Sequence, residues 1–407
     1  MSTLLPTPAY AEATAWVREH LRDLARDEVV ASPSIRGGQT AADAALAAFD
    51  VTGYAARRNE VHPASRRGAS RLSPYIRHGL LPLATVWAHV GGGPRRDTEK
   101  FRDELLWQEY ARHLYARTGG LRTSLRYSVP ERGGDQTRAW DADVESMACL
   151  RMVVGELEQD GWMVNQTRMW TASHWSVRRG LGWRDGDDLL FAHLLDGSRA
   201  ANRLGWQWTV GAGTGKPYGF SRWQVEKRAP GVCDGCALRR ACPVQGWPDE
   251  PRLVAAQEQR GVRRDLDPAA TSGPTAAVGS GPVDAVWLTA ESLGDDDPGL
   301  LAHPEAPVVF VLDEPLLARL RLSGKRLVFL AECLADLAER REVRVHRGDP
   351  VQVLAGAALA TTFAPVPGWR RRADAIRPQE VHPWPWLVQP HAGPAGSFSA
   401  WRRAAGV

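Results

Sequence analysis

The sequence predicts an all-helical part followed by a parallel-sheet α/β part, and three observations carry that reading. Apolar residues recur at helical intervals through residues 1–228. The stretch "LDPAATSGPTAAVGSGP" (266–282) has the small-residue, Pro- and Gly-rich composition of a linker. After it, apolar runs of strand length alternate with a helical pattern, which is how a parallel sheet with crossover helices is written. A chain of 407 residues is also too long for one ordinary core. The domains read as 1–228 helical, 229–250 a cysteine-rich segment of that domain, 251–282 a connection and 283–407 α/β.

In chain order, "PAYAEATAWVREHLRDLARDE" has helical spacing, as does "TEKFRDELLWQEYARHLYARTGG" (98–120), with Thr98 as its N-cap and Gly119 as its stop. "DVESMACLRMVVGELEQDG" and "NQTRMWTASHWSVRRGLG" each read as a further helix, and "GAGTG" (211–215) as a turn. Beyond the linker, "DAVWL", "APVVFVLD" and "VRVHRGDP" read as strands, and "GKRLVFLAECLADLAERR" as an amphipathic helix.

Composition narrows the class. No run reaches the roughly 18 apolar residues of a membrane span, and the N-terminus has no signal-peptide pattern, so a soluble, cytoplasmic, monomeric protein is expected. The net charge of +4 permits nucleic-acid binding without demanding it. Seventeen tryptophans are many for one chain, and their concentration between Trp107 and Trp247 suggests a use for indole rings.

Several residues stand where chemistry could be done. Glu104 and Trp107 are three apart on one helix face, as are Asn165, Arg168 and Met169 at similar spacing. Asp196 precedes Asn202, and Trp206 and Trp208 bracket a glutamine. Three of the five cysteines, Cys233, Cys236 and Cys242, fall within ten residues. Three soft ligands at that spacing suggest a zinc knuckle or a cluster, yet a closed site wants four.

Four blocks of the chain resemble the cryptochrome/photolyase family: "ASRLSPYIRHG" (69–79), "RDELLWQEY" (102–110), "GWMVNQTRM" (161–169) and "LLDGSRAANRLGWQW" (194–208). They occur in the family's order. The resemblance implies a helical FAD-binding domain. Tyr54, Ser70, Leu72 and Ser73 would hold the FAD phosphates, and Arg168 with Asp196 would form an ion pair beside the flavin ring, with Asn202 facing it. Glu104, Trp107, Asn165, Met169 and Trp208 would contact a pyrimidine dimer flipped from UV-damaged DNA. Trp206 and Trp183 would relay electrons to the flavin, with Tyr127 the sole candidate for the outer relay position. Ala69 and Ser198 depart from the family's threonine and aspartate.

The resemblance bears on the cysteines and on the domain order. A bacterial branch of the family carries a [4Fe–4S] cluster, and Cys149 lies where that branch has a fourth cysteine; Cys149, Cys233, Cys236 and Cys242 would hold the cluster, with zinc as the alternative. Cys333 reads as a buried small apolar residue. "VWLTAESLGDDDPGL", "SGKRLVFLAECLADL", "VHRGDPVQVL" and "AGSFSAWRRA" resemble the family's antenna domain, which elsewhere comes first, so the order reads as a circular permutation. The family's arginines after the first strand are replaced here by Thr289, Ala290 and Ser292, which leaves the antenna chromophore open. The expected function is light-driven splitting of cyclobutane pyrimidine dimers, with a non-repairing cryptochrome-type photoreceptor as the rival.

Overall fold

Five short runs rich in Val, Leu, Phe and Thr build a parallel sheet in the C-terminal third of the chain. The computed structural model describes residues 2–131, 136–249 and 251–407. The strands in chain order are β1 (Thr3–Leu5), β2 (Tyr127–Ser128), β3 (Val254–Ala255), β4 (Ala285–Leu288), β5 (Val308–Asp313), β6 (Val343–Gly348), β7 (Leu359–Thr362) and β8 (Glu380–His382). Their spatial order is β1-β6-β5-β4-β7-β8, parallel from β6 to β8. The order in which strands are added reverses between β4 and β7, so the loops leaving those strands diverge and open a crevice at their carboxyl ends. β2 and β3 form a separate antiparallel pair.

The first residues depart from the all-helical expectation. β1 pairs antiparallel with β6, Leu4 opposite His346, and extends the sheet of the distant C-terminal part. The Ala13–His20 helix packs on the Gly324–Ala338 helix. That second helix is written as amphipathic but is buried from Gly324 to Leu337, because residues 13–47 cover the side that its polar residues face. Those polar residues are paired. Glu332 accepts from Arg36 Nε and from the Gly37 backbone, each at 2.6 Å, and Asp336 accepts from the Gln39 backbone at 2.8 Å. Gly37 has to be glycine, since a Cβ there would lie 2.3 Å from the Phe329 carbonyl oxygen. Residues 13–105 and 286–360 thus share one hydrophobic core.

Other boundaries shift for local reasons. The long helix starts at Arg95 after Pro94, and Thr98, expected as its cap, lies inside it and donates its hydroxyl to the Val90 carbonyl at 2.9 Å. The 143–161 pattern divides at Met147, leaving Cys149 at the start of an Ala148–Asp160 helix that Gly161 ends with positive φ. The next helix, Asn165–Ala172, continues as a π-turn over Ser173–Arg178. Among the described residues no helix is long and apolar enough to cross a membrane.

Candidate functional site

The helices Arg95–Arg117, Asn165–Ala172 and Arg199–Thr209 surround a cavity of about 240 Å³. Tyr54, Ser70, Ser73, Glu104, Trp107, Asn165, Arg168, Met169, Asp196, Asn202 and Trp206 all line it. Arg168 Nη2 donates to Asp196 Oδ2 at 2.7 Å, and its other contacts run to the Met163 carbonyl at 3.1–3.2 Å. Asp196 Oδ1 and Asn202 Nδ2 are buried and have no partner within the protein. A buried polar atom left unpaired costs about 1–3 kcal/mol, so both atoms mark positions where a polar ligand would be stabilised.

Glu104 is held between two cations, Arg58 Nε at 3.4 Å and Lys100 Nζ at 3.2 Å. Tyr54 stands on a short turn anchored by Asp97, whose two carboxylate oxygens accept from the Gly53 and Ala55 backbones at 2.8 Å each. Burial, and then the Glu104 charge, push the Tyr54 hydroxyl well above its ordinary range, so it stays a neutral donor. The Trp107 ring packs on Phe398, 5.2 Å between centroids, so the C-terminal Phe398–Ala405 helix supports this wall.

Three of the expected residues lie elsewhere. Leu72 is fully buried in the core, and its backbone N–H donates to Ser70 Oγ at 3.3 Å. Trp208 is two residues past Trp206, about 200° around the helix, and lies exposed against Tyr218 with centroids 5.7 Å apart. Trp183 is buried in the core cluster that also holds Trp206, beneath the Arg184 guanidinium.

Sequence reasoning passed over the arginines. Arg58, Arg71, Arg77, Arg112 and Arg168 line the cavity against two carboxylates, Glu104 and Asp196, which makes it electropositive. Arg71 adopts a left-handed φ of 58° between Ser70 and Leu72 and stacks over Trp162 at 4.9 Å. Its place inside the "ASRLS" block was the available signal. Also passed over was the T-shaped pair Trp140 and Trp175, 5.0 Å apart. A larger cleft of about 1410 Å³ runs between the carboxyl ends of the sheet and the helical part. Arg77 crosses this seam, donating to the Gly197 carbonyl at 2.9 Å and to Glu291 at 2.8 Å.

Cys149, Cys233, Cys236 and Cys242 line one small cavity together with Val225, Val232, Leu238 and Val244. The loop that brings the last three there is folded back by Arg222, whose backbone donates to the Val244 carbonyl at 2.5 Å and whose guanidinium donates to the Arg239 carbonyl at 2.8 Å. Burial pushes the Cys149 thiol up to about 12, and the thiols of Cys233, Cys242 and Cys236 add to that.

Compared with known families, residues 101–227 match the FAD binding domain of DNA photolyase. The match supports the photolyase/cryptochrome family. Three curated relatives are named deoxyribodipyrimidine photo-lyase. That of Vibrio cholerae is 30% identical over 168 residues, 38% of this chain and 35% of the relative. That of Synechococcus is 30% identical over 195 residues, covering 44% and 40%, and one from Thermus thermophilus is 32% identical over 187 residues, covering 43% of each. The chain thus spans less than half the length of these relatives. A photolyase structure from Sulfolobus tokodaii overlays at a TM-score of 0.42 with 20% identity over 55% of each chain.

Proposed function

We propose that this protein is a light-driven lyase that splits cyclobutane pyrimidine dimers flipped out of UV-damaged DNA. The observation that carries the reading is the cavity itself. It gathers an Arg168–Asp196 ion pair, the orphaned Asn202 amide and an acid, an indole, an amide and a thioether on adjoining walls. The residues fit FAD: the unpaired Asp196 and Asn202 atoms call for polar partners, and the excess of guanidinium groups with two serine hydroxyls suits a pyrophosphate. Reduced FAD, when bound, supplies the electron that opens the cyclobutane ring. The chain's own residues do the rest. Asn202 offers an amide that can donate or accept. Trp107 offers a face on which an extruded base stacks, worth about 1–3 kcal/mol. Asn165 and Glu104 can hydrogen-bond a base edge, and the Arg58 and Lys100 charges hold the Glu104 carboxylate in place.

The four cysteines read as ligands of a [4Fe–4S] cluster. Among the described residues the group whose ligand atoms all lie within 4.8 Å of one another is a different one, so no three of these sulfurs are that close. One zinc ion with bonds of about 2.3 Å would bring four sulfurs to about 3.8 Å, and the wider spread favours a larger cluster. The order of domains reads as a circular permutation, since all five parallel strands come from residues 285–382 and the chain's first strand returns to their edge.

A second reading, a flavin photoreceptor without repair, is favoured by the position of Trp208 outside the cavity. One experiment separates the two. The FAD-loaded, reduced protein is illuminated with blue light in the presence of dimer-containing DNA, and dimers are counted. Loss of dimers in the light alone, with Trp107→Ala weakening lesion binding by roughly tenfold, is expected. Unchanged dimers, with equal affinity for damaged and intact DNA, would establish the photoreceptor instead.

A further inference from the structure

A cluster far from the flavin cavity has the composition of a metal site. Glu380 and His382 are two apart on the edge strand β8, so strand alternation puts both side chains on one face. Between them, Val381 faces the other way, and its backbone pairs with Val278 of the linker. The face that carries Glu380 and His382 meets His303, the residue that ends the Pro298–Ala302 helix. That helix is fixed by Asp297, whose Oδ1 accepts from the Gly299 and Leu300 backbones at 2.9 and 3.1 Å and from the Thr362 hydroxyl at 2.9 Å. The His303 carbonyl is itself held by Arg341 at 3.3 Å.

The ligand atoms converge. His303 Nε2 lies 3.0 Å from Glu380 Oε2, and His382 Nε2 lies 3.1 Å from Glu380 Oε1. All three groups offer an atom within 4.8 Å of the other two. An ordinary hydrogen-bonded triad would account for His303 but not for His382. The His382 side chain is only 8% exposed, and its Nε2 has no hydrogen-bond partner despite its closeness to the carboxylate. A buried ring nitrogen aimed at a carboxylate without hydrogen-bond alignment is costly unless something else sits between them.

We propose that His303, Glu380 and His382 bind a divalent transition-metal ion of borderline softness, with zinc as the representative. Two imidazoles and one carboxylate are a donor set such ions take. A tetrahedral ion with bonds of about 2.0–2.1 Å sets its ligands about 3.3 Å apart, close to the spacings found here. Burial, partly opposed by the Glu380 charge, lowers the His382 affinity for protons and keeps that ring in the neutral form that a metal needs. His303 and Glu380 retain partial exposure, which leaves a fourth position for water. The ion would fasten the edge strand, and with it the linker, to the helix that follows β4.

The test uses the full chain, stripped with a chelator and dialysed against zinc chloride, with metal content measured by mass spectrometry. The wild type is expected to hold one zinc equivalent more than His303→Gln and one more than Glu380→Gln; zinc on the cysteines cancels in that difference. His303 lies on the surface side of the cluster, so His303→Gln should keep the fold, checked by circular dichroism. Cobalt(II) at the site should give visible bands without a thiolate charge-transfer band, and both His303→Gln and Glu380→Gln should lose them. Zinc should also raise the thermal midpoint of the wild type but not of His303→Gln. Equal zinc content in the wild type and both variants would overturn the proposal.

Discussion

Gly186 lies beneath the Trp206 indole, and a Cβ built on it would be 2.2 Å from the far edge of that ring. Trp206 is 3% exposed and packed among other large side chains, so the indole has little room to retreat. Gly186→Ala is therefore expected to destabilise the fold by about 1–3 kcal/mol and to weaken flavin retention, because Trp206 lines the flavin cavity. Urea denaturation with a flavin fluorescence titration checks both, and an unchanged flavin affinity would detach Trp206 from the cofactor. The need for glycine at 186 was invisible in the sequence, since it arises from a residue twenty positions away on another helix. The Arg168–Asp196 pair was legible because both ends fall in recognisable blocks. The burial of Leu72 and the outward face of Trp208 were not, since motif position carries no information on which way a side chain points.

Helices of the flavin part were legible in outline because their apolar periodicity is strong, and their ends were not, because caps and breaks depend on neighbours. Met147 ends one helix and starts the next, and that break places Cys149 at the mouth of the cysteine cavity. The Arg222–Arg228 helix does the complementary work. Its capping box, Ser221 with Gln224, fixes the start from which the 231–246 loop folds back. The cysteine cavity therefore depends on two elements joined by nothing else local. Cys149→Ser is expected to abolish metal or cluster binding and to open the 231–246 loop to proteolysis, while FAD binding persists. Metal analysis and limited proteolysis on the same sample check this. Full occupancy in the variant would leave Cys149 a packing residue.

Across the whole molecule, the tail after β8 returns to the long helix of the flavin wall. Glu109, fully buried on the Arg95–Arg117 helix, accepts from the Leu387 and Val388 backbones at 2.6 and 3.0 Å. His113, one turn on, is bonded through Nε2 to the Val388 carbonyl at 3.1 Å. Nothing in the sequence set Glu109 apart from other helix charges, because its partners lie 278 and 279 positions away. Burial raises the Glu109 carboxyl from 4.5 to about 7, against the opposing pull of Arg112 and the two backbone donors. An acid whose folded pKa is raised binds more protons folded than unfolded between those values. Its contribution is therefore complete below about pH 4.5 and is lost as pH rises through about 7. His113 acts in the opposite sense. Burial lowers it from 6.5 to about 3, so stability is lost as pH falls through that window. The two slopes overlap between pH 4.5 and 6.5, and the wild-type profile alone would conceal them. Glu109→Gln keeps an acceptor for both N–H groups and removes only the titration, so the difference between wild type and variant isolates the carboxyl. That difference should move in favour of the variant by on the order of 2–3 kcal/mol from pH 5 to pH 8, measured by denaturation at each pH. A difference that stays flat across this range would mean that Glu109 titrates at an ordinary value and that the tail is held by packing alone.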